Sequence, residues 1–103
     1  MIEIDKFFLE DENIKLRPYF YEDTPIPIPD DKKYKLFAVA EMFADFFDSV
    51  FYQQDCMPRG TFKAFENYMR VIRNSPIFEE YINSYAPLYP QKFINRLNKL
   101  KRH

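Results

Sequence analysis

LFAVAEMFADFFDSVF, residues 36–51, is the stretch from which the fold can be read. At about 100° per residue, Leu36, Val39, Ala40, Phe43, Phe47, Val50 and Phe51 share one helical face. Met42 and Phe46 flank that face on one side, Phe37 and Ala44 on the other. The polar remainder is a narrow stripe of Glu41, Asp45, Asp48 and Tyr52. An edge helix needs an apolar arc of only about 100°, so this wider arc predicts a central helix wrapped by other elements.

Working outward, the central helix is expected to start near Asp30 or Asp31, where acids favour the helix dipole, and to run to about Gln54. Asp55-Cys56-Met57-Pro58-Arg59-Gly60 breaks it and holds the only glycine. A second helix is predicted over residues 61–73, with Phe62, Phe65, Met69 and Ile72 on one face. Ser75 suits an N-cap and Pro76 the first helical position, which opens a third helix with Ile77, Phe78, Tyr81, Ile82 and Tyr85 inward. Ala86-Pro87 ends it, and Pro90 begins a last helix that turns Phe93, Ile94, Leu97 and Leu100 inward.

Upstream, residues 2–9 are expected to form a short helix, since a lone strand would have no partner. LRPYFYEDTPIPIPDD, residues 16–31, carries Pro18, Pro25, Pro27 and Pro29, which exclude a through-going helix. Its Leu16, Tyr19, Phe20, Tyr21, Ile26 and Ile28 are too apolar for a free linker, which predicts an ordered extended strap across the central helix. The expectation is an all-α single domain over residues 1–103: a small helical bundle with a long central helix, the Pro-rich strap and about four shorter helices.

Twelve Phe and eight Tyr in 103 residues are enough for a dense aromatic core without metal or disulfide support. Cys56 is alone, which excludes an internal disulfide and a Cys-based zinc site and suits a reducing cytosol. No uninterrupted apolar run reaches the roughly 18–20 residues of a membrane span, and MIEIDKFF lacks the basic start of a secretory signal. A cytoplasmic chain is expected. Charge is graded: residues 1–31 hold nine acids against three bases, while residues 91–103 hold five bases and no acid. Such ends attract, either as neighbours in one chain or across a homo-oligomer contact.

Glu41, Asp45 and Asp48 lie about a turn apart on one helical face, a spacing open to three uses. They form a solvated stripe, a polar network in which Arg17 reaches Glu41 or Asp45, or a divalent metal site serving a metal-dependent enzyme. The metal reading lacks a second acidic helix and internal histidines, the only one being His103, so no metal ligand is assigned. Cys56 has no internal histidine to activate it, and Ser49, Ser75 and Ser84 lack a GxSxG setting. One glycine leaves no phosphate-binding loop. No catalytic residue or cofactor is expected.

The C-terminal run PQKFINRLNKLKRH places Lys92, Arg96, Lys99, Lys101 and Arg102 outward, a candidate anion surface for nucleic acid or an anionic membrane. The same bases stabilise any helix through its dipole. Tyr19, Phe20, Tyr21, Tyr52, Tyr68, Tyr81, Tyr85 and Tyr89 exceed the needs of a small core, and tyrosine is enriched at protein interfaces.

Three runs, LRPYFYEDTPIP, AVAEMFADFFDSV and FENYMRVIRNSPIFEEYI, with a Tyr shortly before the final helix, are similar in order to a widespread group of small bacterial helical proteins. The resemblance spans about residues 8–97 and implies a bacterial or phage context and one compact helical unit. Many members carry this region behind an N-terminal membrane segment. Phe62 and Phe65 depart from the pattern, which often has Trp there. The group supplies no activity to transfer, so the expected function is a non-enzymatic protein-interaction or regulatory module. Its protein partner is expected to meet Arg17, Tyr19, Phe20 and Tyr21.

Overall fold

A computed structural model describes residues 17–21 and 30–101 of the chain. The short helix expected over residues 2–9, the strap prolines Pro25, Pro27 and Pro29, and Arg102 and His103 lie outside the described residues. Helix α1 is the single turn Pro18–Tyr21, and the long α2 spans Lys33–Gln53 after a 3-10 turn at Asp30–Lys32. A 3-10 turn at Gln54–Cys56 leads to α3, Arg59–Arg73, followed by α4, Pro76–Tyr85. A third 3-10 turn, Ala86–Leu88, precedes α5, Gln91–Asn98. Among the described residues there is no strand, and the molecule is an all-α bundle around α2. No helix among them is long and apolar enough to cross a membrane.

One device sets three successive helix boundaries. A proline forces the residue before it into extended backbone, because its ring collides with a helical predecessor. Met57 before Pro58 (φ −116°, ψ 152°), Ser75 before Pro76 (φ −72°, ψ 141°) and Tyr89 before Pro90 (φ −113°, ψ 150°) are all extended. Each proline then launches the next helix: the Pro58 carbonyl accepts the Phe62 N–H at 3.0 Å, and the Pro90 carbonyl accepts those of Phe93 and Ile94. Gly60 is not the hinge; it sits inside α3 with φ below zero and nothing within 4 Å of where a Cβ would stand.

The core follows the predicted face of α2. Leu36, Val39, Ala40, Phe43, Ala44, Phe47, Val50 and Phe51 are buried, while Phe37, Met42 and Phe46 pack at its margins. Ring contacts run through the centre, Phe20 to Phe43 at 5.1 Å, Phe43 to Phe47 at 6.0 Å and Phe47 to Phe78 at 5.7 Å. Phe51 reaches Phe93 of α5 at 6.0 Å. Each ring truncated to alanine would cost about 3–5 kcal/mol, so this row of phenylalanines is the main cohesive element. Helix α2 packs on α3 and α4, and α1 closes the bundle against the same two helices.

Two local expectations change. Residues 18–21 form a helical turn, with the Phe20 and Tyr21 N–H groups donating to the Arg17 carbonyl, in place of an extended strap. Proline blocks a helix from passing through but favours one that begins at it. Ser75 stands at the N-cap position without capping; its buried hydroxyl turns back and donates to the Ile72 carbonyl at 2.7 Å.

Candidate functional site

The α1 turn takes Phe20 out of the aromatic surface expected at its residues. Pro18 starts the turn and directs Phe20 inward, where it is fully buried against Phe43, so Phe20 is a core residue and not a contact surface. Tyr21 is half-buried, edge-on to Phe43 and Tyr68, with its hydroxyl hydrogen-bonded to that of Tyr68. Tyr19 also packs against the core. Arg17 is exposed and lies over the Tyr21 ring at 4.7 Å. Among the described residues no ion pair joins it to Glu41 or Asp45, so the predicted network is replaced by a cation–π contact.

A surface of unusual composition lies along α2. Tyr34, Ala38, Glu41, Asp45, Asp48 and Tyr52 are all exposed, and their alternating spacing of four and three makes one row along the whole of α2. Helix α4 and the turn after it form the facing wall. There Phe37 meets Tyr81 and Tyr85 edge-on at 5.7 and 5.8 Å, and Tyr81 stacks on Tyr85 at 5.0 Å. A concavity of about 280 Å³ between Tyr34, Phe37, Glu41, Tyr85 and Leu88 marks the start of the row. Another, of about 310 Å³, marks its end between Asp48, Tyr52, Asp55, Lys92 and Arg96.

Tyr81 also lines the first concavity, and its hydroxyl is hydrogen-bonded to that of Tyr89 at 2.6 Å. Burial pushes the Tyr81 phenol far up from its ordinary value, and the bond to Tyr89 and the charges of Tyr89, Glu41 and Asp45 add to the shift. Tyr89 is also raised, by burial first and by Asp45, Glu41 and Asp48, against the opposing pull of its bond to Tyr81. Both phenols therefore stay protonated and face a row of carboxylates. Among the described residues no cation pairs with Glu41, Asp45 or Asp48. Nor does any group of three or more His, Cys, Asp or Glu among them converge to hold a metal ion.

The basic residues divide. Lys92 and Lys99 are exposed on α5 and just beyond it. Arg96 is half-buried, donates to the Phe51 carbonyl at 3.1 Å and covers the Phe51 ring at 5.3 Å. Lys101 is paired with Glu79 at 3.0 Å. Cys56 is exposed, with no histidine among the described residues.

A second cluster escaped sequence reading. Arg73, at the end of α3, is 1% exposed and donates to Glu79 of α4 and, at 3.0 Å, to Asn98 of α5. Asn74 donates to the Arg70 and Leu100 carbonyls at 2.7 and 2.9 Å, which ties the chain after α5 to the same corner. Burial pushes the Glu79 carboxyl up, but hydrogen bonds and charge from Arg73 and Lys101 outweigh it and hold the group below its ordinary 4.5. The Arg73 Nε has no hydrogen-bond partner among the described residues. This corner is a fastening: Arg73 and Asn74 tie the end of α3 to α4, to α5 and to the chain after α5.

The α2 row and its facing wall thus carry aromatic faces, two protonated phenols and three carboxylates with no ion pair among the described residues. No family model, curated protein or solved structure matches this chain.

Proposed function

We propose that the chain is a non-enzymatic protein-interaction module of a bacterial or phage cytosol, and that its partner docks along the exposed edge of α2 near Tyr34. One observation carries this reading. Tyr34, Tyr52, Tyr85 and Leu88 are the large apolar side chains left exposed among the described residues, at 85, 90, 36 and 78%, and all four line the two concavities of that edge. Single exposed apolar residues are ordinary, but their confinement to one edge is the mark of a contact surface. Tyrosine suits such a surface, since it presents a rigid apolar face and keeps a polar tip for water or a partner.

The test is a quantitative capture from an extract of the native host, with the intact chain compared against a Tyr34→Ser/Leu88→Ser variant. Truncating two central anchors of an interface costs about 2 kcal/mol or more, so the variant should lose its partner by at least about tenfold. A set of captured proteins that the variant leaves unchanged would remove this edge as the contact surface.

A further inference from the structure

We infer that the acidic stretch of the α2 row, Glu41, Asp45 and Asp48, pairs with α5 of a second copy, forming a two-fold dimer. This goes beyond the partner surface near Tyr34 and uses neither Tyr34 nor Leu88. The rows are matched in spacing. Glu41, Asp45 and Asp48 follow one another by four and then three residues, and Lys92, Arg96 and Lys99 do the same. Both rows span seven residues, about 10 Å of helix, so three charges of one sign meet three of the other without adjustment of pitch.

Within one chain the end of the acidic row meets the start of the basic row without pairing. Asp48, Asp55, Lys92 and Arg96 line the same concavity of about 310 Å³, yet no ion pair among the described residues connects the acids of α2 to the bases of α5. Away from these rows the pattern is different: Glu66, Glu79 and Glu80 each hold a lysine or arginine. Acids that meet bases on one surface are self-complementary under two-fold rotation, which lays the acidic row of each copy on the basic row of the other. Tyr52, 90% exposed at the rim, supplies the apolar centre by entering the partner copy's concavity. Arg96 contributes although one of its N–H groups is held by the Phe51 carbonyl, because a guanidinium has further donors.

Sedimentation velocity of the purified chain tests this. At low salt it should sediment as a dimer, and the dissociation constant should rise at least about tenfold between roughly 0.05 and 0.5 M NaCl. An Asp45→Lys/Asp48→Lys variant and a Lys92→Glu/Lys99→Glu variant should each be folded by circular dichroism and monomeric at the concentration where the original chain is a dimer. Mixed in equal amounts they should recover a dimer, because both contacts then regain opposite charges. A monomer at low salt up to about 0.5 mM, a dimer indifferent to either reversal, or a mixture that stays monomeric would each overturn the inference. A monomeric chain whose partner is still lost on Tyr34→Ser/Leu88→Ser would leave the partner surface standing.

Discussion

Helix α2 and the corner at Arg73 hold comparable numbers of charges and use them in opposite ways. At the corner, Arg73 is buried, Glu79 bridges it to Lys101, and Asn98 closes the other side. Along α2, Glu41, Asp45 and Asp48 stand in water, a turn apart, with like charges as nearest neighbours on their own helix. Charges at the corner stabilise the fold by meeting their opposites across elements, where desolvation makes an unpaired ion costly. Those on α2 oppose each other slightly within the monomer. A side chain that stabilises nothing in its own chain is available for contact with another.

The largest expected effect breaks the corner. Arg73→Ala leaves a cavity and removes the partner of Glu79, costing about 3 kcal/mol and lowering the Tm by more than about 10 °C. A thermal scan showing a drop of under about 3 °C would demote the corner to incidental packing.

Glu79→Gln sharpens the same contrast through pH. Since the folded carboxyl sits below its ordinary 4.5, its pairing stabilises the protein above that value and fades as pH falls through and below it. With a third of Glu79 facing solvent, the variant should lose only about 1 kcal/mol at neutral pH. Denaturant titrations at about pH 7 and about pH 3 should show the gap between the two proteins closing in acid, and a constant gap would contradict the pairing.

Tyr89→Phe removes the hydroxyl bond to Tyr81 and should cost about 0.5–1.5 kcal/mol. Both phenols are raised above their ordinary 10.0, so the original chain should hold its stability up to that pH and lose it beyond. A Tyr81→Phe/Tyr89→Phe variant should lack most of that alkaline decline; an equal decline in both proteins would point to other groups. The smallest effect lies on α2. Asp45→Asn, measured where sedimentation shows a monomer, should leave stability unchanged or raise it by about 0.2–0.5 kcal/mol, because it relieves like-charge contacts. A loss of more than about 1 kcal/mol would mean the row fastens the fold after all.

The core face of α2 was legible because helical periodicity belongs to a single segment: the seven residues that share a face in sequence are all buried. Proline boundaries at Pro58, Pro76 and Pro90 were legible for the same reason, since the clash acts on the adjacent residue. Reading α1 failed on a subtler point. The same proline that ends an extended segment is a good first residue of a helix, and packing of Phe20 against Phe43 selected the turn. The acidic row was visible as a row, but the wall that faces it was not, because Tyr81, Tyr85 and Leu88 come from a helix and turn more than thirty residues away.

The amino-acid sequence by itself determined the boundaries at Pro58, Pro76 and Pro90, the apolar face of α2, and that three carboxylates share its outer face. These are properties of bonds and periods a few residues long. Tertiary structure alone decided which charges are spent inside the molecule and which remain outside. Arg73 and Asn98 are 25 residues apart and meet only when α3, α4 and α5 pack, whereas Arg17, expected to reach the acidic row, settles on the Tyr21 ring. Pairing depends on distances through space that no local pattern encodes, so the buried cation and the exposed row became distinguishable only in the folded chain.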